Sequence, residues 1–142
     1  MTLKTFSKSV LLSIFRRKGG PGPNTLPFDG FPTHIQHHLM SQSSLLAGEE
    51  PVLASFRDPS EWVLVTTQRL VWSSKAGVMR TALSAIEDVT VDLKANAEMG
   101  ARTKKDLSQL IVKTSGRETH SLTIESGPSF FAVWNLLKYF AR

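Results

Sequence analysis

Between residues 51 and 124 apolar side chains recur at every second position, the spacing of strands with one face in a core. Val52, Ala54 and Phe56 alternate with Leu53 and Ser55 until Asp58-Pro59-Ser60 breaks the run. Residues 62–67 then form a β-branched stretch, and Arg69-Leu70-Val71-Trp72-Ser73 folds back on it beyond Gln68. Lys75-Ala76-Gly77 reverses the chain again before 78–83. Val89, Val91 and Leu93 alternate with Asp88, Thr90 and Asp92, as in a strand with one wet face. After a polar stretch over 94–106, residues 107–114 and 118–124 read as a hairpin around Ser115-Gly116-Arg117. The pattern predicts about seven short strands, and a flat sheet of that size would expose its edges, so the sheet is expected to curl into a barrel or sandwich.

The period changes to that of a helix at both ends. Pro128 stands at an early helical position after Ser126-Gly127, and Phe130, Val133, Trp134, Leu137 and Phe140 share a face too apolar for solvent. That face is expected to cap the curled sheet, with Phe130, Trp134 and Leu137 in the core. A second helix is predicted over 34–46, with Thr33 as N-cap, Ile35, Leu39 and Leu46 on one side and Gly48 as its stop. Near the N-terminus Leu3, Phe6, Val10 and Ile14 follow helical steps, widened by Leu11. Between these two helices, Gly19-Gly20-Pro21-Gly22-Pro23-Asn24 and then Pro27, Gly30 and Pro32 read as a flexible linker, with Leu26, Phe28 and Phe31 free to pack locally. The expected organisation is therefore a basic helix in 1–18, a Gly/Pro-rich linker in 19–32, a short helix in 33–47 and a β-domain in 48–142.

A length of 142 residues allows one ordinary core, and with no cysteine the fold rests on packing alone. The formal charge of +5 is a property of the first helix. Lys4, Lys8, Arg16, Arg17 and Lys18 face no acidic residue there, whereas the remaining chain carries 12 basic and 12 acidic residues. Such a helix can lie on an anionic membrane surface; the simpler readings are a helix docked on its own domain or on a second copy, or a disordered end. No stretch has the length of a membrane span, and the apolar run before Arg16-Arg17-Lys18 lacks the cleavage pattern of a secretory signal. The expected location is cytoplasmic, with peripheral membrane attachment as an option.

Candidate chemistry is sparse. His34, His37 and His38 place two imidazoles on one side of the predicted helix, near Asp29, but no HExxH pattern accompanies them and a metal would need further ligands. Surface or partly packed histidines are the simpler reading, with metal-dependent activity as the alternative. No nucleophile elbow, phosphate loop or paired-carboxylate arrangement is present, so catalysis is not expected. Arg102, Lys104 and Lys105 lie in a polar loop that acidic residues interrupt and no aromatic ladder accompanies, which argues against nucleic acid.

The order of seven strands and one C-terminal helix resembles the pleckstrin-homology superfold, and bacterial PH-like and GRAM-like domains in particular. The residues that carry the resemblance are Leu46-Ala47-Gly48-Glu49-Glu50, the hairpin Trp62-Val63-Leu64-Val65-Thr66-Thr67-Gln68-Arg69-Leu70-Val71, and Ser126-Gly127 leading into 130–137. The resemblance implies a mainly β, PH-like barrel capped by the C-terminal helix, of a kind that binds phosphoinositides, peptides, other proteins or itself. The neutral body and the unpaired strand edges lead to the expectation of an adaptor, without a cofactor, for a protein partner or a second copy. Lipid-binding members concentrate Lys and Arg around the first hairpin loop. Here that loop offers Arg69 alone, with Lys75 and Arg80 farther on, so Arg69 reads as a structural tie before it reads as a phosphate ligand. Possible anion contacts remain Arg69, Lys75, Arg80, Arg102, Lys104 and Lys105.

Overall fold

In the computed structural model, which describes residues 3–141, the chain runs α1 (Lys8–Arg17), β1 (Thr25–Pro27), α2 (Thr33–Ser43), β2 (Pro51–Asp58), β3 (Glu61–Thr66), β4 (Arg69–Ser74) and β5 (Gly77–Ala82). It continues through β6 (Ile86–Val91), α3 (Leu93–Glu98), β7 (Gln109–Thr114), β8 (Glu118–Thr123) and α4 (Pro128–Phe140). The strands form two antiparallel sheets, β1-β2-β3-β4-β5 and β6-β7-β8. The protein is thus mainly β with a C-terminal helix, but the expected closed barrel is absent. A tight 3-10 turn, Leu83–Ala85, carries the chain from β5 to β6. Leu83 is fully buried there and its N–H donates to the Gln68 carbonyl at 2.9 Å, so the turn passes the chain to a second layer, not to a neighbouring rung.

Alternation along the strands now has a spatial meaning, because the larger sheet is covered on both faces. Val63, Val65, Leu70 and Trp72 point into the main core, which Val89, Leu110, Val112 and Leu122 of the smaller sheet complete. Trp62, Leu64 and Val71 point the other way, onto Leu39 of α2 and onto Phe28 and Phe31. Strands buried on both sides read as unbroken apolar runs, which accounts for the continuous sequence from Trp62 to Val65. Helix α4 closes the main core with Phe130, Val133, Leu136 and Leu137 buried, while Trp134 is only half-buried.

The N-terminal segment belongs to this core. Ser7 caps α1 by accepting the Val10 N–H at 3.3 Å, so the helix starts later than Leu3 and Phe6 suggest. Its buried face is Leu11, Ile14 and Phe15, whereas Val10 is 43% exposed. The Phe6 ring lies 4.9 Å from that of Phe140, and the Phe6 N–H donates to the Thr67 carbonyl at 2.8 Å. Most of the apolar surface of this segment is therefore spent on the domain, with Val10 left outside.

The Gly/Pro-rich stretch is likewise not a free tether. A Cβ at Gly19 would stand 2.0 Å from the Pro128 carbonyl oxygen, and φ there is +150°, so only glycine lets the backbone pass the start of α4. Thr25, Leu26 and Pro27 then pair with Ser55, Ala54 and Leu53. An edge strand of three residues tolerates proline because one side of it makes no ladder bonds. Helix α2 also departs from expectation: Pro32, not Thr33, occupies the cap position, and the helix ends at Ser44 in the left-handed region, before Gly48. Leu46 falls outside it and is 44% exposed.

Helix α1 thus contributes to stability. Phe15→Ala should lower the unfolding free energy by about 3–5 kcal/mol, the usual cost of emptying a buried aromatic site. Urea denaturation of the full chain measures it, and an unchanged midpoint would mean that α1 is not part of the folded core.

Candidate functional site

The turn between β3 and β4 shows what Arg69 does. The Thr66 hydroxyl oxygen accepts the Gln68 and Arg69 N–H groups at 3.1 and 2.8 Å, which tightens the turn and directs Arg69 inward. Its Nε and Nη2 donate to the two oxygens of Glu49 at 2.8 and 2.7 Å, a forked pair with both residues 7% exposed. Nη2 also donates to the Ser43 and Ser44 carbonyls at 3.0 and 3.1 Å, the unsatisfied end of α2. Glu49 accepts the Leu46 N–H at 2.7 Å and the Thr66 hydroxyl. Arg80 donates to the Gln42 carbonyl at 2.9 Å, so it too serves the end of α2. Arg69 is therefore committed inside the protein, whereas Arg80, itself exposed, spends part of its guanidinium on the end of α2.

Burial alone would push the Glu49 carboxyl up. Hydrogen bonds from Arg69, Thr66 and Leu46, with the Arg69 charge, outweigh that and hold it below its ordinary value. A carboxyl depressed on folding stabilises above its unfolded value and loses that contribution as pH falls through the folded one.

The histidines converge on nothing. His34 and His37 are exposed, while the His38 ring meets Phe56 and Trp62 edge-on and its Nε2 lies 3.1 Å from the Pro59 carbonyl oxygen. Among the described residues no group of three His, Cys, Asp or Glu could hold a metal ion.

Residues 94–106, expected to be a polar loop, instead carry most of α3 and a capped turn anchored to the sheet. Asp92 caps α3 by accepting the Ala95 N–H at 3.0 Å. Asn96, 2% exposed, donates to the Asp92 and Gln109 carbonyls at 2.7 and 3.1 Å and accepts the Ser108 and Gln109 N–H groups at 2.8 and 3.1 Å. One amide thus uses its full donor and acceptor capacity to hold α3 on β7. Gly100, at φ +89°, ends the segment, and the Arg102 and Thr103 N–H groups hold the Asp106 carboxyl below its usual range.

With α3 fixed, a groove of about 810 Å³ opens between it, β6 and α4. Val91, Leu107, Phe131 and Trp134 form its apolar floor, and Leu93 stands at its rim 74% exposed. The Trp134 indole N–H donates to the Val89 carbonyl at 3.0 Å, and the Lys138 ammonium sits 5.0 Å over the indole ring. Arg102, Lys104 and Lys138 line the groove against one carboxylate, Asp88, whose oxygen accepts the Val89 N–H at 2.9 Å. The free edge of β6 is thus closed at Val89 by the protein's own groups. Lys75 and Lys105 are exposed elsewhere and do not line the groove.

Sequence reasoning named Trp134, Arg102 and Lys104 separately but missed Asn96, Leu93 as a rim residue, and Lys138. The available signal was Asp92 as a cap, six residues of short helix, and Gly100 as a stop. The chain matches no protein-family model, no curated protein and no solved structure.

Arg69→Met should cost about 3–5 kcal/mol, because it leaves Glu49 buried and unpaired. In Glu49→Gln the acid-side loss of stability should be shallower than in the parent chain. Urea midpoints measured across the acidic range decide this, and parallel pH profiles would deny the pair its role.

Proposed function

We propose that the chain is a non-catalytic, PH-like adaptor that holds a segment of a partner protein in the groove between β6, α3 and α4. The observation that carries this reading is Leu93, 74% exposed beside a concave apolar floor that Phe131 and Trp134 line. An exposed leucine alone needs no explanation, but one at the lip of a preformed aromatic groove matches the anatomy of a binding hot spot. The PH-like part of the proposal draws on the succession of two antiparallel meanders and a C-terminal helix, and on the Thr66-x-x-Arg69-Leu70 turn.

The groove favours side-chain anchoring over addition of a strand, since Val89 is already capped on both backbone groups. Its cations favour a segment with an apolar anchor and acidic flanks. Peripheral membrane attachment through insertion of α1 loses its means, because Leu11, Ile14 and Phe15 are buried. Among the described residues no helix is long and apolar enough to cross a membrane.

Selection of random peptides on the full chain tests the proposal. Enriched peptides should carry an aromatic or aliphatic anchor near Asp or Glu, and Leu93→Asp should weaken them about tenfold while shifting stability by less than about 0.5 kcal/mol. Light scattering of the free chain separates a partner from a second copy. Absence of enrichment together with a monomer, or peptides indifferent to Leu93→Asp, would remove the groove from consideration.

A further inference from the structure

We propose that the cleft between α1 and α4 binds a phosphate-class oxyanion through Arg17, Lys18 and Lys138. The two helices run antiparallel, since Gly19 after α1 abuts Pro128 at the start of α4, while Phe6 before α1 packs on Phe140 at its end. Between them lies a cleft of about 370 Å³ lined by Val10, Ile14, Asn135 and Tyr139 together with the three cations, and among the described residues by no acidic one.

Basic side chains at helix ends have an ordinary explanation, because they complement the carbonyl end of the helix dipole. This accounts for Arg17 and Lys18, which follow the last turns of α1. It does not account for Lys138. Its side chain lines the cleft, while its ammonium leans back over Trp134, one turn toward the start of α4 and away from the carbonyls at its own helix end. Three like charges then border one cleft, and among the described residues none of them makes an ion pair.

The contrast with the other cations sharpens the point. Lys8 faces Asp29 at 3.8 Å, Arg57 meets Glu61 at 3.1 Å, and Arg69 meets Glu49 at 2.7 Å. The α1/α4 cleft gathers its cations without such partners. A phosphate group matches the vacancy in charge, because a guanidinium forks onto two of its oxygens while two ammonium groups supply point charges. A phosphodiester headgroup on a lipid surface and a soluble phosphate share that chemistry.

The test uses the full chain and two probes, inorganic pyrophosphate followed by calorimetry at low salt, and phosphatidylcholine vesicles with or without phosphatidylglycerol followed by sedimentation. Two double variants remove equal charge: Arg17→Gln with Lys18→Gln touches only the cleft, and Arg102→Gln with Lys104→Gln touches only the groove. All four side chains are exposed, so both variants should fold, which thermal melting checks. The cleft pair should weaken whichever probe binds by about tenfold, and the groove pair should leave it nearly unchanged. Pyrophosphate binding would identify a soluble ligand, and binding confined to phosphatidylglycerol vesicles a lipid headgroup. No binding to either probe, or equal weakening by the two variants, would overturn the assignment. Because peptide selection reads the groove independently, failure of the cleft leaves the adaptor proposal standing, and the reverse holds as well.

Discussion

A guanidinium buried beside a carboxylate needs partners for its inward donors, and Arg69 finds them for Nε and Nη2 by drawing three separate segments together. It takes Glu49 from the approach to β2, the Ser43 and Ser44 carbonyls from the end of α2, and its own position from the β3–β4 turn. Once α2 is held there, Leu39 covers Leu64 and Val71, and the larger sheet acquires its second covered face. The same turn offers the Thr67 carbonyl to Phe6 and the Gln68 carbonyl to Leu83, so both the entry to α1 and the crossing to the second sheet are fixed at one corner.

From that corner the geometry of the open surfaces follows. The crossing at Leu83 sets β6 as the first strand of the smaller sheet and leaves its outer edge toward α4. Trp134 closes part of that edge through its indole, which tilts the ring into the groove and leaves it half-buried. Asn96 holds α3 opposite. The groove is therefore walled by rigid elements, a condition for a preformed binding site.

Strands with one wet face were legible from their period of two, and the doubly buried ones from β-branched apolar runs bounded by turn residues. The seven runs anticipated from residues 51–124 each overlap a strand, although Leu93, expected in the fifth, instead opens α3. Strand β1 was not legible, since Leu26-Pro27 amid glycines and prolines has no local reason to extend and is a strand only because β2 offers an edge. In helix α1 the expected stripe was Leu3-Phe6-Val10-Ile14 widened by Leu11, whereas contact with α4 buries Leu11, Ile14 and Phe15 and leaves Val10 outside. The Thr66-x-x-Arg69 turn pointed to a structural tie, yet its partner Glu49 lies 20 residues away and no spacing rule joins them. The groove was beyond reach for the same reason: Leu93, Arg102 and Trp134 come from separate segments, and Lys138 carries no motif.

Charge completes the argument, because neutrality of the body and uneven placement of its charges are compatible. Glu49, Asp29 and Glu61 neutralise cations locally, and Arg80 is absorbed by a helix end. Of these carboxylates only Asp29 reaches the α1/α4 flank, at Lys8, and among the described residues Arg17, Lys18 and Lys138 make no ion pair. Lys138 borders both the groove and the helix cleft, so the two surfaces form one continuous basic margin around an apolar centre. Had the first helix been a free tail, its charge would have described only the tail. Docked by Leu11, Ile14 and Phe15, it confers that charge on the folded surface beside Trp134, and an excess that composition assigns to the terminus becomes a property of the site.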